Sequence, residues 1–191
     1  MKKMMMTLTA VFCCAMAMIV FTSCSKSDDN GGGGTPVAPD TTPVSMKFAY
    51  LVAVSPDLIK YADVEVNYLD ESGNVKSEKI TTSDLWSKAF TISIPHKMAV
   101  KLQLKKKNDI DYSSLTDDII VSFGTIVDRG YTLYNKAGDK LNEFHNTLVF
   151  NNVDFKGSKI EKYIDGMGKD KDAITYEYDA NAKETTTKGA W

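Results

Sequence analysis

The chain has 191 residues, 43% of them hydrophobic and 25% charged, which is room for one ordinary domain and excludes wholesale disorder and fibrous repeats. From Cys24 onward the sequence carries 21 basic and 25 acidic residues, a net charge of −4, so there is no electrostatic reason to expect nucleic acid as a partner. Composition is spread unevenly: six of the nine Met and all three Cys lie in the first 24 residues, and every acidic residue comes after them.

Lys2 and Lys3 precede an uncharged stretch, Met4 to Phe21, that closes on Thr22-Ser23-Cys24. A charged start, an apolar run at the short limit for a membrane span and small residues before a cysteine make an export signal. The polar, glycine-rich stretch from Ser25 to Asp40 contains no basic cluster of the kind that would stop transfer. Phe21-Thr22-Ser23-Cys24 resembles a bacterial lipobox, and Ser25-Lys26-Ser27-Asp28-Asp29 resembles the lipoprotein export signal of Bacteroidota. The resemblance is to the small lipoproteins of that phylum that carry a tether and one β-sandwich. It implies removal of residues 1–23, a lipid anchor in the outer membrane through Cys24, and an export signal at Lys26, Asp28 and Asp29 that places the domain on the cell exterior. Cys13 and Cys14 would leave with the signal, so the exported chain would have no thiol left for a disulfide. Asp40-Thr41-Thr42 likewise resembles the O-glycosylation sequence of exported proteins in the phylum, with Thr41 as the acceptor.

Residues 24–45 read as the lipidated Cys and its tether. Asn30 and four glycines start it flexibly, and Pro36, Pro39 and Pro43 stiffen its end. The domain is expected over 46–182, with a flexible tail at 183–191.

Within the domain the dominant period is two. Met46, Phe48, Tyr50, Val52 and Val54 alternate with Ala49, Leu51 and Ala53, a strand apolar on both sides and therefore central. Val64, Val66 and Tyr68 form the next, and Asp70-Glu71-Ser72-Gly73-Asn74 is a hairpin loop into Val75 to Ile80. Phe90, Ile92 and Ile94, then Val100, Leu102 and Leu104, are two more strands, and the short Pro95-His96-Lys97 link predicts that they are antiparallel neighbours. Ile119, Val121 and Phe123, then Tyr131 to Tyr134, Leu148 to Phe150, and Ile174, Tyr176 and Tyr178 complete about eight. One helix is signalled after Ser158 and Glu161, which stand in the capping-box relation, with Ile160, Tyr163, Ile164 and Met167 on one face and Gly166 and Gly168 at its end. The expected fold is all-β: an antiparallel two-sheet sandwich, immunoglobulin-like or transthyretin-like, with one short helix near the C-terminus and a closed barrel as the alternative.

No catalytic signature emerges. His96 and His145 are far apart in sequence, Gly-x-Ser-x-Gly is absent, and Gly166-Met167-Gly168-Lys169 lacks phosphate-loop spacing. Asp109, Asp111, Asp117 and Asp118 are the candidate calcium ligands, although Ser114 and Ile120 stand where a calcium-binding helix–loop–helix needs Gly and Glu. Asp165, Asp170 and Asp172 form a second acidic group interleaved with Lys169 and Lys171. Tyr112 and Trp86 are the candidate ligand-contacting rings, with Trp86 better suited to a sandwich core, and Trp191 ends the chain. Lys105-Lys106-Lys107 is the one basic run and suits a solvated strand end or an anionic glycan. The expected function is a non-catalytic surface module that binds a glycan or protein and needs no cofactor. A structural or assembly subunit is the alternative, and a small glycan-acting hydrolase with an acid pair is a third reading.

Overall fold

The computed structural model describes residues 38–167 and 172–189. The lipobox, Cys24, Lys26, Asp28, Asp29, Gly168 to Lys171 and Trp191 therefore lie outside the described residues. In chain order the elements are β1 (Ser45–Val54), α1 (Pro56–Tyr61), β2 (Ala62–Leu69), β3 (Val75–Ile80), β4 (Trp86–Ser93) and β5 (His96–Lys106). A 3-10 turn (Tyr112–Ser114) leads to β6 (Ile120–Phe123), β7 (Thr125–Tyr134), β8 (Lys140–His145), β9 (Val153–Lys156), α2 (Gly157–Gly166), β10 (Ile174–Tyr178) and β11 (Glu184–Lys188).

The strands make an antiparallel sandwich. One sheet has the order β4-β1-β7-β8, the other β11-β10-β5-β2-β3, and β6 and β9 pair as a separate ribbon. The first two strands lie in different sheets, whereas an immunoglobulin domain keeps them in one, so the transthyretin-like alternative is the one this split leaves. Two separate sheets, whose edges pair no further strand among the described residues, also dispose of the closed barrel.

The alternating strands behave as their patterns dictate. Met46, Phe48, Tyr50, Val52 and Val54 are fully buried on the inner face of β1, and Val64, Val66, Tyr68, Val100, Leu102 and Leu104 face them from the second sheet. β1 is central as expected: eight residues pair with β4 on one side and ten with β7 on the other. Tyr50 fastens the layers, its buried hydroxyl donating to the Leu69 carbonyl at 3.0 Å and accepting from the Ala99 amide at 2.9 Å. Burial pushes that hydroxyl's pKa up, so it remains a donor. Phe48 meets Tyr176 and Tyr178 across the sandwich, with ring centroids 5.9 and 6.2 Å apart.

The Asp70–Asn74 hairpin forms with Gly73 at φ +78°, a conformation that favours glycine, and Asp70 Oδ1 accepts from the Ser72 and Asn74 amides.

Several expectations are corrected. Pro95 does not join neighbours: β4 and β5 belong to different sheets, and the cis Ile94–Pro95 link carries the chain between them. Leu148 to Phe150 is not a strand, and β8 and β9 flank it instead. Residues 184–188 are no flexible tail but β11, paired with β10 throughout. The domain also begins earlier than its first strand, because the Asp40 carbonyl accepts from Asn135 Nδ2 at 2.8 Å.

A second helix, α1, carries no alternating signal; it starts on Pro56 after Ser55 and buries Leu58 and Tyr61. In α2 the capping box does not form. The helix begins at Gly157, which places Ser158 inside its first turn, where the hydroxyl donates to Asp117 at 2.5 Å. Gly157 is required there, since a Cβ would lie 2.4 Å from the Thr116 carbonyl oxygen.

Candidate functional site

α2 positions a surface groove of mixed aromatic and basic lining. Ile160 and Ile164 bury one stripe of the helix in the core, so the next stripe, Lys159, Lys162, Tyr163 and Gly166, lies along its flank. Lys106 fixes the far side of the helix through Glu161 at 2.7 Å and Asp165 at 3.5 Å. A shallow groove of about 450 Å³ opens on that flank, lined by Phe155 of β9 and by Lys159, Lys162, Tyr163, Gly166 and Met167. Its floor is aromatic: the Phe155 and Tyr163 rings are 4.6 Å apart, and both stack towards buried Phe123 at 5.5 and 5.2 Å. Burial first, then the charge of Asp172, raises the Tyr163 hydroxyl above its ordinary pKa, so it stays protonated at neutral pH. Among the described residues neither Lys159 nor Lys162 forms an ion pair within 4.0 Å. The groove thus offers flat apolar surface beside two lysines without close ion-pair partners, with Asp117 acting on Lys159 and Asp172 on Tyr163 at longer range.

The sequence-predicted site residues are dispersed. Tyr112 is no solvent-facing platform: its ring is half-buried, and its hydroxyl donates to the Tyr61 carbonyl at 2.5 Å and accepts from the Lys107 amide at 2.9 Å. Trp86 packs 5.5 Å from Tyr68 and donates its indole N–H to Glu78 at 3.1 Å, so it seals a flank of the sandwich. Asp111 caps the 3-10 turn by accepting from Ser113, and Asp117 is engaged by Ser158 and by Lys156 at 3.3 Å. Asp109 and Asp118 are exposed in the same loop, and among the described residues no three carboxylate, histidine or cysteine groups converge on a metal position. Thr41 is exposed beside Asp40, whose side chain accepts from the Thr42 amide. The basic run is largely neutralised, with Lys105 on Glu65 at 2.7 Å and Lys106 on α2. His96 begins β5 half-buried, which lowers its pKa, and exposed His145 lies 3.6 Å from Glu143.

Two polar clusters close the open flanks between the sheets. On one, Glu78 of β3 accepts from Lys88 at 2.7 Å, Tyr68 at 2.6 Å and Trp86, and these donors hold its carboxyl below the usual range. On the other, Arg129 of β7 reaches Glu184 of β11 through Nη2 at 2.5 Å and Nε at 3.2 Å, and Asp128 at 3.0 Å. Its guanidinium lies between the Phe144 and Tyr176 rings, 4.5 and 5.1 Å from their centroids. Burial would raise the Glu184 carboxyl, but hydrogen bonds from Arg129, Thr186 and Tyr178 outweigh it and keep it below its ordinary value.

The groove escaped sequence reasoning because Phe155 lies in a polar segment and the lysines of α2 look like an ordinary solvated face. The helical spacing of Lys159, Lys162, Tyr163 and Gly166 was its one available signal. No protein-family model and no curated protein matches the chain.

Proposed function

We propose that the chain is a lipid-anchored, non-catalytic binding module of the outer membrane that faces the cell exterior and takes up an anionic glycan in the α2 groove. The observation that carries the ligand assignment is the pairing of the Phe155 and Tyr163 rings with Lys159 and Lys162, which lack ion-pair partners among the described residues. A flat ring suits the apolar face of a sugar, and ammonium groups free of close ion pairs suit its carboxylate or sulfate. The lipobox-like and export-signal-like residues before Asp40 support the location. Glu78 and Glu184, carboxylates placed among aromatic rings, are held ionised by their donors, the reverse of the raised pKa a general acid requires, which argues against these two in a hydrolytic acid pair.

A glycan array probed with the full chain tests the ligand. Acidic oligosaccharides should be bound, binding should weaken with salt, and Lys159→Glu with Lys162→Glu should abolish it. Binding confined to neutral glycans, or unchanged in the double variant, removes the groove as the site. Retention on an acidic protein instead of a glycan would assign the same surface to a protein partner. Protease shaving of intact cells tests the location, which fails if the domain is protected while the outer membrane is whole.

A further inference from the structure

The edge strand β4 differs from the other three edges of the sandwich. β3 carries Lys76, Glu78 and Lys79, β8 carries Lys140, Glu143 and His145 opposite a register shift, and β11 is only five residues long with Glu184 and Lys188 at its ends. Charge, irregularity and shortness are the usual protections of an edge. β4 is neither short nor irregular, and only one of its residues is charged. It runs eight residues in unbroken register with β1, and its exposed side chains are Ser87, Ala89, Thr91 and Ser93. Its one charged residue, Lys88, turns inward to Glu78.

The ladder fixes which backbone groups are free. The Ile94 amide donates to the Val44 carbonyl at 3.1 Å, so the even-numbered residues of β4 bond to β1; on β1's other side the Ser55 amide donates to the Gly124 carbonyl at 2.8 Å, consistent with odd residues of β1 serving β7. The N–H and C=O groups of Ser87, Ala89, Thr91 and Ser93 consequently point away from β1, where no further strand follows among the described residues.

We propose that β4 is a homodimer seam, at which two copies of the chain pair antiparallel about a two-fold axis through Phe90. In that register Ser87 opposes Ser93 of the second copy and Ala89 opposes Thr91, so every outward backbone group of the four residues meets a partner. Phe90 opposes itself in a non-hydrogen-bonded position, where side chains approach most closely and aromatic pairs are favourable. No two like charges face each other, and Lys88 opposes Ile92. A two-fold interface sets the same patch of both copies face to face, and the neutral outward side chains of β4 meet that demand without opposing like charges. The four-stranded sheet becomes a continuous eight-stranded one. The seam is independent of whatever ligand the groove takes.

Strand-to-strand addition buries modest area, so association in the micromolar range is expected. Sedimentation velocity of the full chain in detergent, up to about 100 µM, should show a monomer–dimer equilibrium. Thr91→Pro removes one outward amide and no bond to β1, and should weaken association by about tenfold or more. Ala89→Asp with Thr91→Asp places like charges across the seam and should also dissociate it, whereas Ala89→Lys with Thr91→Asp places opposite charges there and should restore it. Hydrogen exchange on the unaltered chain gives a readout without mutation: the amides of Ser87, Ala89, Thr91 and Ser93 should gain protection as concentration rises. A chain that stays monomeric throughout, or two charge variants that behave alike, overturns the proposal; a monomer whose β4 amides become protected only by another protein assigns the edge to a foreign strand instead.

Discussion

Replacing Glu184 by Gln keeps the size of the side chain and removes the charge that Arg129 faces. The two side chains are only 14% and 15% exposed, so the guanidinium cannot turn to water without leaving the rings of Phe144 and Tyr176. Removing one partner of a buried ion pair costs about 3–5 kcal/mol. Arg129 retains Asp128 at 3.0 Å, which places the expected loss near about 2–3 kcal/mol at neutral pH. In a domain of this size that corresponds to a melting temperature lower by about 5–10 °C. The pH dependence carries a definite sign. The folded Glu184 carboxyl lies below its ordinary value of 4.5, so its stabilisation is complete above that value and is lost as the pH falls through the folded pKa. Thermal melts followed by circular dichroism from about pH 7 to pH 3 should therefore show the gap between wild type and Glu184→Gln narrowing in acid. A gap below about 1 °C at pH 7, or one that keeps its size in acid, would refute a stabilising role for this cluster in closing the flank between β7 and β11.

Tyr50→Phe leaves the Leu69 carbonyl and the Ala99 amide without their partner in the core, and should lower unfolding free energy by about 2–4 kcal/mol, read from urea denaturation. Gly157→Ala forces a Cβ against the Thr116 carbonyl and should cost about 1–3 kcal/mol, whereas Gly73→Ala, with open space around it, should show only the smaller strain of its positive φ. Millimolar calcium should leave the melting temperature unchanged, because Asp111 and Asp117 are committed to Ser113, Ser158 and Lys156 and do not converge; an upward shift would reinstate an irregular calcium site in this loop.

The strands that were legible in the sequence are those whose two faces differ in polarity. Val64, Val66 and Tyr68, or Val100, Leu102 and Leu104, announce a period of two because one face meets the core and the other water. β11 gave no such sign: Glu-Thr-Thr-Thr-Lys has no apolar face, and it is held by its ladder with β10 and by an arginine 55 positions earlier. The opposite failure is Leu148 to Phe150, where an apolar run lies outside the ladders. α1 is too short to display a helical period, and its anchor residues Leu58 and Tyr61 are indistinguishable in sequence from strand residues. The candidate rings failed for one shared reason. Tyr112 and Trp86 stand in polar surroundings along the chain, but folding brings each a specific hydrogen-bond acceptor, the Tyr61 carbonyl and Glu78, which sequence separation concealed.

The placement of β1 has a mechanical consequence. A pull arriving through the residues before Asp40 enters the domain along its central strand, first meeting the Asn135 clip on the Asp40 carbonyl. Beyond it, β1 is flanked over ten residues by β7 and over eight by β4, both antiparallel to it. If the load leaves by the far end of either neighbour, the ladders are strained in shear, with many bonds sharing the force at once, whereas force entering at an edge such as β11 would open its pairs one after another. The strand at the head of the chain is thus the one best placed to bear tension, and resistance to such a load is governed by the rate of unfolding instead of equilibrium stability.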